Sequence, residues 1–327
     1  CKGEPFTVTV TVDPEPVVAN QAVTICSDVA INLVLGNDSD GPSAATYNIT
    51  AINPSGLVSS AGFPVTGTGF TANELFNDAW TNKTSAPVNV VYTVVPVSSL
   101  GCKGNPFTVT VTVKPEPVVL NQTITVCSDI TTNLLLGSDV DGPSVASYSI
   151  TNINSNTLVS SAGLPVTGTG LAANELFNDA WTNNTSASVN VVYTVVPLGV
   201  NGCEGDPFTV TVTVTPEPAV ANQTTTSCSD VALGVNFNSS TSVAAATYNV
   251  TALNLRGLTV SPGTNAAVAN GLLATDLAND AFTNTTNAPV NVDYTVVPVT
   301  ALGCKGEPFT VTVTVDPEPV VANQAVT

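Results

Sequence analysis

The most reactive side chains in this sequence are seven cysteines, and they fall on a strict period. Cys1, Cys102, Cys203 and Cys304 are 101 residues apart, and Cys26, Cys127 and Cys228 keep the same interval. Spacings of 25 and 76 residues fit no zinc motif, and there is no C-x-x-C, so the chemistry to expect is disulfide formation in an oxidising, extracytoplasmic compartment. Two pairings repeat with the period. Cys26–Cys102, Cys127–Cys203 and Cys228–Cys304 leave Cys1 single, whereas Cys1–Cys26 and its copies leave Cys304 single. The first is the expected set. Closing a loop of about 77 residues removes denatured-state entropy worth roughly 4 kcal/mol in the chain-entropy treatment.

Carboxylates form the second group. Asp38-Ser-Asp40-Gly41 and Asp139-Val-Asp141-Gly142 resemble the first half of a calcium loop, because alternating carboxylates before a glycine can converge oxygens on a hard cation. Asp38, Asp40, Asp139 and Asp141 are therefore candidate ligands for weakly held calcium, and no other cofactor is expected. No glutamate follows at EF-hand spacing, the third copy reads NFNSSTS, and an Asx-turn accounts for the same residues without metal. Asp78, Asp179 and Asp280 recur four residues before Asn82, Asn183 and Asn284, a spacing suited to pinning a turn.

No catalytic set emerges. The chain has no histidine, which removes imidazole bases, Ser-His-Asp and Cys-His systems and histidine metal ligands. Gly67-Thr-Gly69 lacks the Gly-Lys-Ser/Thr of a phosphate loop. The expectation is that the protein is not an enzyme. A net charge of −18 disfavours nucleic acid and anionic membrane surfaces as partners. Apolar runs never reach the roughly 18 residues needed to span a bilayer. Isopeptide crosslinking would need a lysine in every copy, but Lys103 aligns with Glu204.

The elements that must position these residues repeat too. CKGEPFTVTVTVDPEP, CKGNPFTVTVTVKPEP, CEGDPFTVTVTVTPEP and CKGEPFTVTVTVDPEP follow one another at the same interval, and residues 304–327 match 1–24 letter for letter. Either the sequence is a window on a longer periodic polypeptide, or its two ends are equivalent. A period near 100 residues is a whole domain rather than a solenoid turn. Phe6, Val8, Val10 and Val12 alternate with threonines, the pattern of a half-buried strand. Residues 29–35, 44–52 and 88–96 also read as strands, and Gly/Pro/Asn/Asp clusters separate them. Residues 72–80 (ANELFNDAW) fit a helical turn or a strand equally well. Seven or so short strands per unit predict an all-β immunoglobulin-type sandwich.

Boundaries are expected at the Pro-Glu-Pro segments, which cannot continue a sheet ladder and favour stiff extended backbone. Complete domains would be 17–115, 118–216 and 219–317. Residues 1–16 would be the last strand of a preceding repeat plus linker, and 320–327 the first strand of a following one. An alternative phase makes Pro-Glu-Pro the tip of a hairpin.

The phrases ICSD, NDAWTNKTSAPVNVVYTVVP and GCKGNPFTVTVTVKPEP resemble the PKD-like, immunoglobulin-fold repeats of Bacteroidota surface proteins. Arrays of this kind resemble the giant SprB-like gliding-motility adhesins exported by the type IX system. The resemblance implies tandem sandwiches in an extended rod, an extracellular location on the bacterial cell surface, and a stalk or filament function. Neighbouring repeats of the same polypeptide or filament are the implied partners, and surface polysaccharide is a further candidate. Two other readings are a filament subunit joined end to end by strand pairing, and a glycan- or surface-binding module.

Overall fold

The computed structural model describes residues 2–36, 38–138, 140–264 and 266–319. Unit one carries nine strands, β1 (Val17–Val18), β2 (Gln21–Cys26), β3 (Asp38–Asp40), β4 (Ala44–Asn53), β5 (Val58–Ala61), β6 (Gly67–Phe70), β7 (Ala79–Thr81), β8 (Val88–Ser98) and β9 (Phe107–Lys114). Five of them form one sheet in the order β2-β9-β8-β4-β6, while β5 pairs with β7 and β1 with β3. The same five-stranded order recurs in residues 122–215 and again in 223–316. Among the described residues there is no helix. The result is three tandem all-β, sandwich-like units.

Alternation drives this sheet. In β9, Phe107, Val109, Val111 and Val113 are at most 2% exposed, and the intervening threonines are half-buried. They meet Val90, Tyr92 and Val94 of β8 and Tyr47 and Ile49 of β4 in a single core. Within β8 the same period two selects Val90, Tyr92 and Val94 as the fully buried face. β9 lies between β8, to which it is antiparallel, and the edge strand β2, to which it is parallel, with Cys26 opposite Lys114. β2 and the last strand, β9, therefore run in the same direction and end at the same pole of the unit.

Three local expectations change. Residues 29–35 form no ladder. The N–H groups of Ile31, Asn32 and Leu35 donate instead to the carbonyls of Asp78, Phe76 and Ala72 at 2.8, 3.0 and 2.7 Å. Asn32, at φ 50°, breaks strand geometry, although Ile31 and Leu35 are buried. The ambiguous stretch 72–80 is neither a helix nor one strand. Successive i→i+3 turns (Phe76 N to Asn73 O, Asp78 N to Leu75 O) place Leu75 in the core, and β7 follows. Finally, residues 6–12 form no strand, and Phe6, Val8, Val10 and Val12 are 72–88% exposed. The identical pattern in β9 is ordered by a neighbouring strand on each side.

The Pro-Glu-Pro segment between units one and two is buried throughout, at Pro115, Glu116 and Pro117. Its two flanking strands belong to different sheets, so no hairpin turns there.

Candidate functional site

The two cysteines of a unit lie at opposite poles. Cys26 ends β2 beside the exit strand β9. Cys102 sits in the loop between β8 and β9, where Ser98 N donates to its carbonyl at 2.9 Å. That loop faces the entry segment, since a Cβ on Gly104 would collide with the carbonyl oxygen of Pro16. No disulfide can join two poles of one sandwich. The structure instead forms Cys26–Cys203 and Cys127–Cys304, each 177 residues apart in sequence with Cα atoms 5.5 Å apart. This corrects the expected pairs Cys26–Cys102, Cys127–Cys203 and Cys228–Cys304. Each bond joins the exit pole of one unit to the entry pole of the next. Cys102 and Cys228 are free thiols, and Cys1 lies outside the described residues.

Recurring polar residues build the exit pole. Asn82, with no exposed surface, donates to the carbonyls of Val113 (2.8 Å) and Ala86 (3.0 Å) and accepts from Thr84 N and Oγ1. Its own N–H donates to Ser27 Oγ at 2.8 Å, and Thr81 Oγ1 donates to Asp28 Oδ1 at 2.6 Å. Asp28 holds φ 61°, the left-handed turn that swings the chain away after Cys26. The same bonds recur around Asn183 and Asn284. The Cys-Ser-Asp and Thr-Asn phrases are thus one hydrogen-bonded platform, which presents the first cysteine and an acid to the neighbouring unit.

On that platform lies a carboxylate cluster that spans the junction. Asp28, Glu116 and Asp206 each bring an oxygen within 4.8 Å of the others. Lys83 Nζ stands 2.7 Å from Asp206 Oδ2 and 3.8 Å from Glu116 Oε1. Glu116 is only 2% exposed, and its Oε1 has no hydrogen-bond partner. Burial first, and then the charges of Asp28 and Asp206, push its carboxyl up to about 7. Burial works in the same upward direction on Asp28, but hydrogen bonds from Thr81, Ser60, Glu116 and Ser27 outweigh it and hold the group below the usual carboxylate range. Such a set of oxygens could coordinate a hard cation, with the lysine ammonium as its built-in competitor. At the second junction the equivalents are Asp129, Glu217 and Glu307, and Asn184 stands in place of Lys83. Burial, followed by the charges of Asp129 and Glu307, raises Glu217.

The cluster contains none of the expected calcium ligands. Asp38 and Asp40 belong to β3, Asp141 accepts a backbone bond from Val118 N at 2.9 Å, and Asp139 lies outside the described residues. Asp78 has a core role. Tyr92 OH donates to its Oδ2 at 3.0 Å and accepts from Trp80 Nε1 at 3.0 Å, and burial raises the carboxyl. In unit three Phe282 replaces the tryptophan, while Tyr294 still donates to Asp280.

A family model described as PKD-like domain matches residues 23–117, 124–218 and 225–319. The chain belongs to the PKD-like domain family. Solved structures similar to this PKD-like chain include the I-band fragment I67–I69 from titin, at 8% identity over 95% of this chain and 100% of that one with a TM-score of 0.35. Drosophila N-cadherin EC1-4 is 14% identical over 93% of this chain and 75% of that one, with a TM-score of 0.22. Chicken CNTN1 FN1-FN3 is 10% identical over 93% and 98%, with a TM-score of 0.24. No curated protein matches.

Reading Pro-Glu-Pro as a spacer missed Glu116 and its partner Asp206 in the PKD-like junction. The available signal was internal. Glu15, Glu116, Glu217 and Glu318 recur between prolines, and Asp206 and Glu307 share a position in the Gly-Cys loop.

Proposed function

We propose that this PKD-like chain is a structural spacer in an extracellular stalk or filament, of the kind found in giant SprB-like surface adhesins exported by the type IX system, and that it carries no catalytic site. One observation supports this above all: a disulfide crosses each of the two junctions between complete units, beside a buried linker. Bonds placed there restrain how units sit on one another, which is what a stalk requires and a set of independent binding modules does not. Disulfides also suit an oxidising extracellular compartment. The junction carboxylates, Asp28, Glu116 and Asp206, are the proposed place for any calcium dependence. Neighbouring repeats are the proposed partners, with polysaccharide contact left to other parts of the surface.

Small-angle scattering on the oxidised chain tests the reading. Three units of about 40 Å each, taken as ten-residue strands at 3.3 Å plus turns, predict a radius of gyration of about 35 Å. A compact globule of this length would give about 20 Å and would overturn the stalk. A second reading has one specific support, the exposed apolar face of Phe6, Val8, Val10 and Val12. Strand pairing between copies would use that face, and it predicts a molecular mass in solution that grows with concentration.

A further inference from the structure

We infer that the staples divide the backbone into two continuous covalent tracks that carry tension through the units while the rest of each unit stays off the load path. The inference takes its biological setting from the stalk reading, but its geometry stands on strand pairing and disulfides alone.

The first track enters along β2 to Cys26 and crosses to Cys203 through the disulfide. It then follows 208–215 and passes by peptide linkage through 216–218 into the strand 223–228. The second follows β9, passes by peptide linkage through 115–117 into 122–127, and crosses from Cys127 to Cys304. It leaves along 309–316. At every junction one track crosses by linker and the other by disulfide, and they exchange roles at the next. Within each unit the two tracks are hydrogen-bonded neighbours running in the same direction. Gln21 to Cys26 pair with Val109 to Lys114, Gln122 to Cys127 with Val210 to Thr215, and Gln223 to Cys228 with Val311 to Asp316. A two-stranded parallel ribbon therefore threads the molecule. Residues 128–202 hang as a loop between the bonded Cys127 and Cys203, and residues 27–106 hang between the bonded Cys26 and the start of β9.

The mechanical consequence follows from chain dimensions. Strand residues already rise about 3.3 Å each, against a maximum near 3.6 Å. A track under tension has little length left to give, so unfolding a sandwich cannot extend it. Without the staples, force would enter a unit by its first strand and leave by its last. Shearing that pair apart would then release the whole unit.

Optical-tweezer pulling with handles on azide-bearing residues at the exposed positions Thr24 and Thr226 reads this directly. In the oxidised chain the covalent route is 24–26 and 203–226, so the tether is limited to about 100 Å and shows no unfolding steps. After reduction in the same tether the route becomes 24–226, and steps accumulate to about 730 Å. A limit near 190 Å, the value for Cys26–Cys102 and Cys127–Cys203, would overturn the tracks, as would stepwise lengthening beyond that in the oxidised state. Reduction in place serves as the control should Cys26→Ser/Cys203→Ser fold poorly. A compact scattering profile would sink the stalk reading and leave the tether limit standing. A lengthening oxidised tether would sink the tracks and leave a stalk possible.

Discussion

Glu116 is the residue whose chemistry differs most from its sequence neighbourhood. Buried among Asp28, Asp206 and Lys83, with Glu204 lining the same cleft, it holds its proton up to about pH 7, against 4.5 when free. The folded state thus binds more protons than the unfolded chain between those values. Stability contributed by this group is present below about pH 4.5 and is lost as pH rises through 7. Asp179, raised to about 6 mainly by burial, acts with the same sign. Denaturant midpoints at pH 5 and pH 8 should therefore differ, with the chain weaker at pH 8, and Glu116→Gln should narrow the gap. An unchanged gap would show that Glu116 titrates normally. Replacing Lys83 by asparagine, the residue at 184, removes the only cation among the described residues that is ion-paired to the cluster and should widen the gap, read by the same midpoints. Tyr193 poses a simpler test. Its hydroxyl donates to Asp179 at 2.8 Å in the core, so Tyr193→Phe leaves a buried carboxylate short of a partner and should cost about 1–3 kcal/mol by urea denaturation.

At the scale of elements, the turn that follows each Thr-Asn phrase fastens the last strand. Asn183, itself with no exposed surface, bonds Val214 O, Ala187 O and Thr185, and of these bonds the one to Val214 is fully buried. Asn183→Ala should cost about 2 kcal/mol, since two carbonyls lose a donor and one of them is fully enclosed. Asn183→Asp, which keeps the acceptor and loses the donors, should cost a similar amount. A loss below about 0.5 kcal/mol would make the turn self-supporting. The strands themselves were legible in the sequence because their signal is local. Alternation in TVTVTV and VNVVYTVV needs only a period of two and a buried face. Residues 29–35 carry the same apolar content, but they pair with a run of turns whose carbonyls are irregularly spaced, and nothing within the segment records that. The disulfide partners were illegible for a related reason. Periodicity fixes the interval between cysteines but not the pole on which each one sits. The pole follows from β2 lying parallel to β9, a pairing across about 90 residues that leaves no mark in either strand.

For the whole molecule, the important point is where the staples do not go. The three cores are assembled mainly from valine, tyrosine, leucine and phenylalanine within single units, and neither disulfide closes a loop inside one of them. Fold and joint are therefore separable. Reduction should leave Trp80 and Trp181, 4% and 5% exposed, with blue-shifted emission at room temperature, because their surroundings are sheet contacts and the Tyr92 and Tyr193 hydroxyls. The same treatment should broaden the distance distribution between units, measured with spin labels at the exposed residues Thr24 and Thr226, since the Pro-Glu-Pro segment becomes the sole covalent link at each joint. Thermal midpoints should fall as well, because the reduced denatured chain regains entropy that closure of a 177-residue separation had removed, about 5 kcal/mol in the chain-entropy treatment. A red shift in tryptophan emission on reduction would mean that the staples hold the cores together. Sharp distances after reduction would mean instead that the buried linker and the carboxylate cluster fix the joint without them.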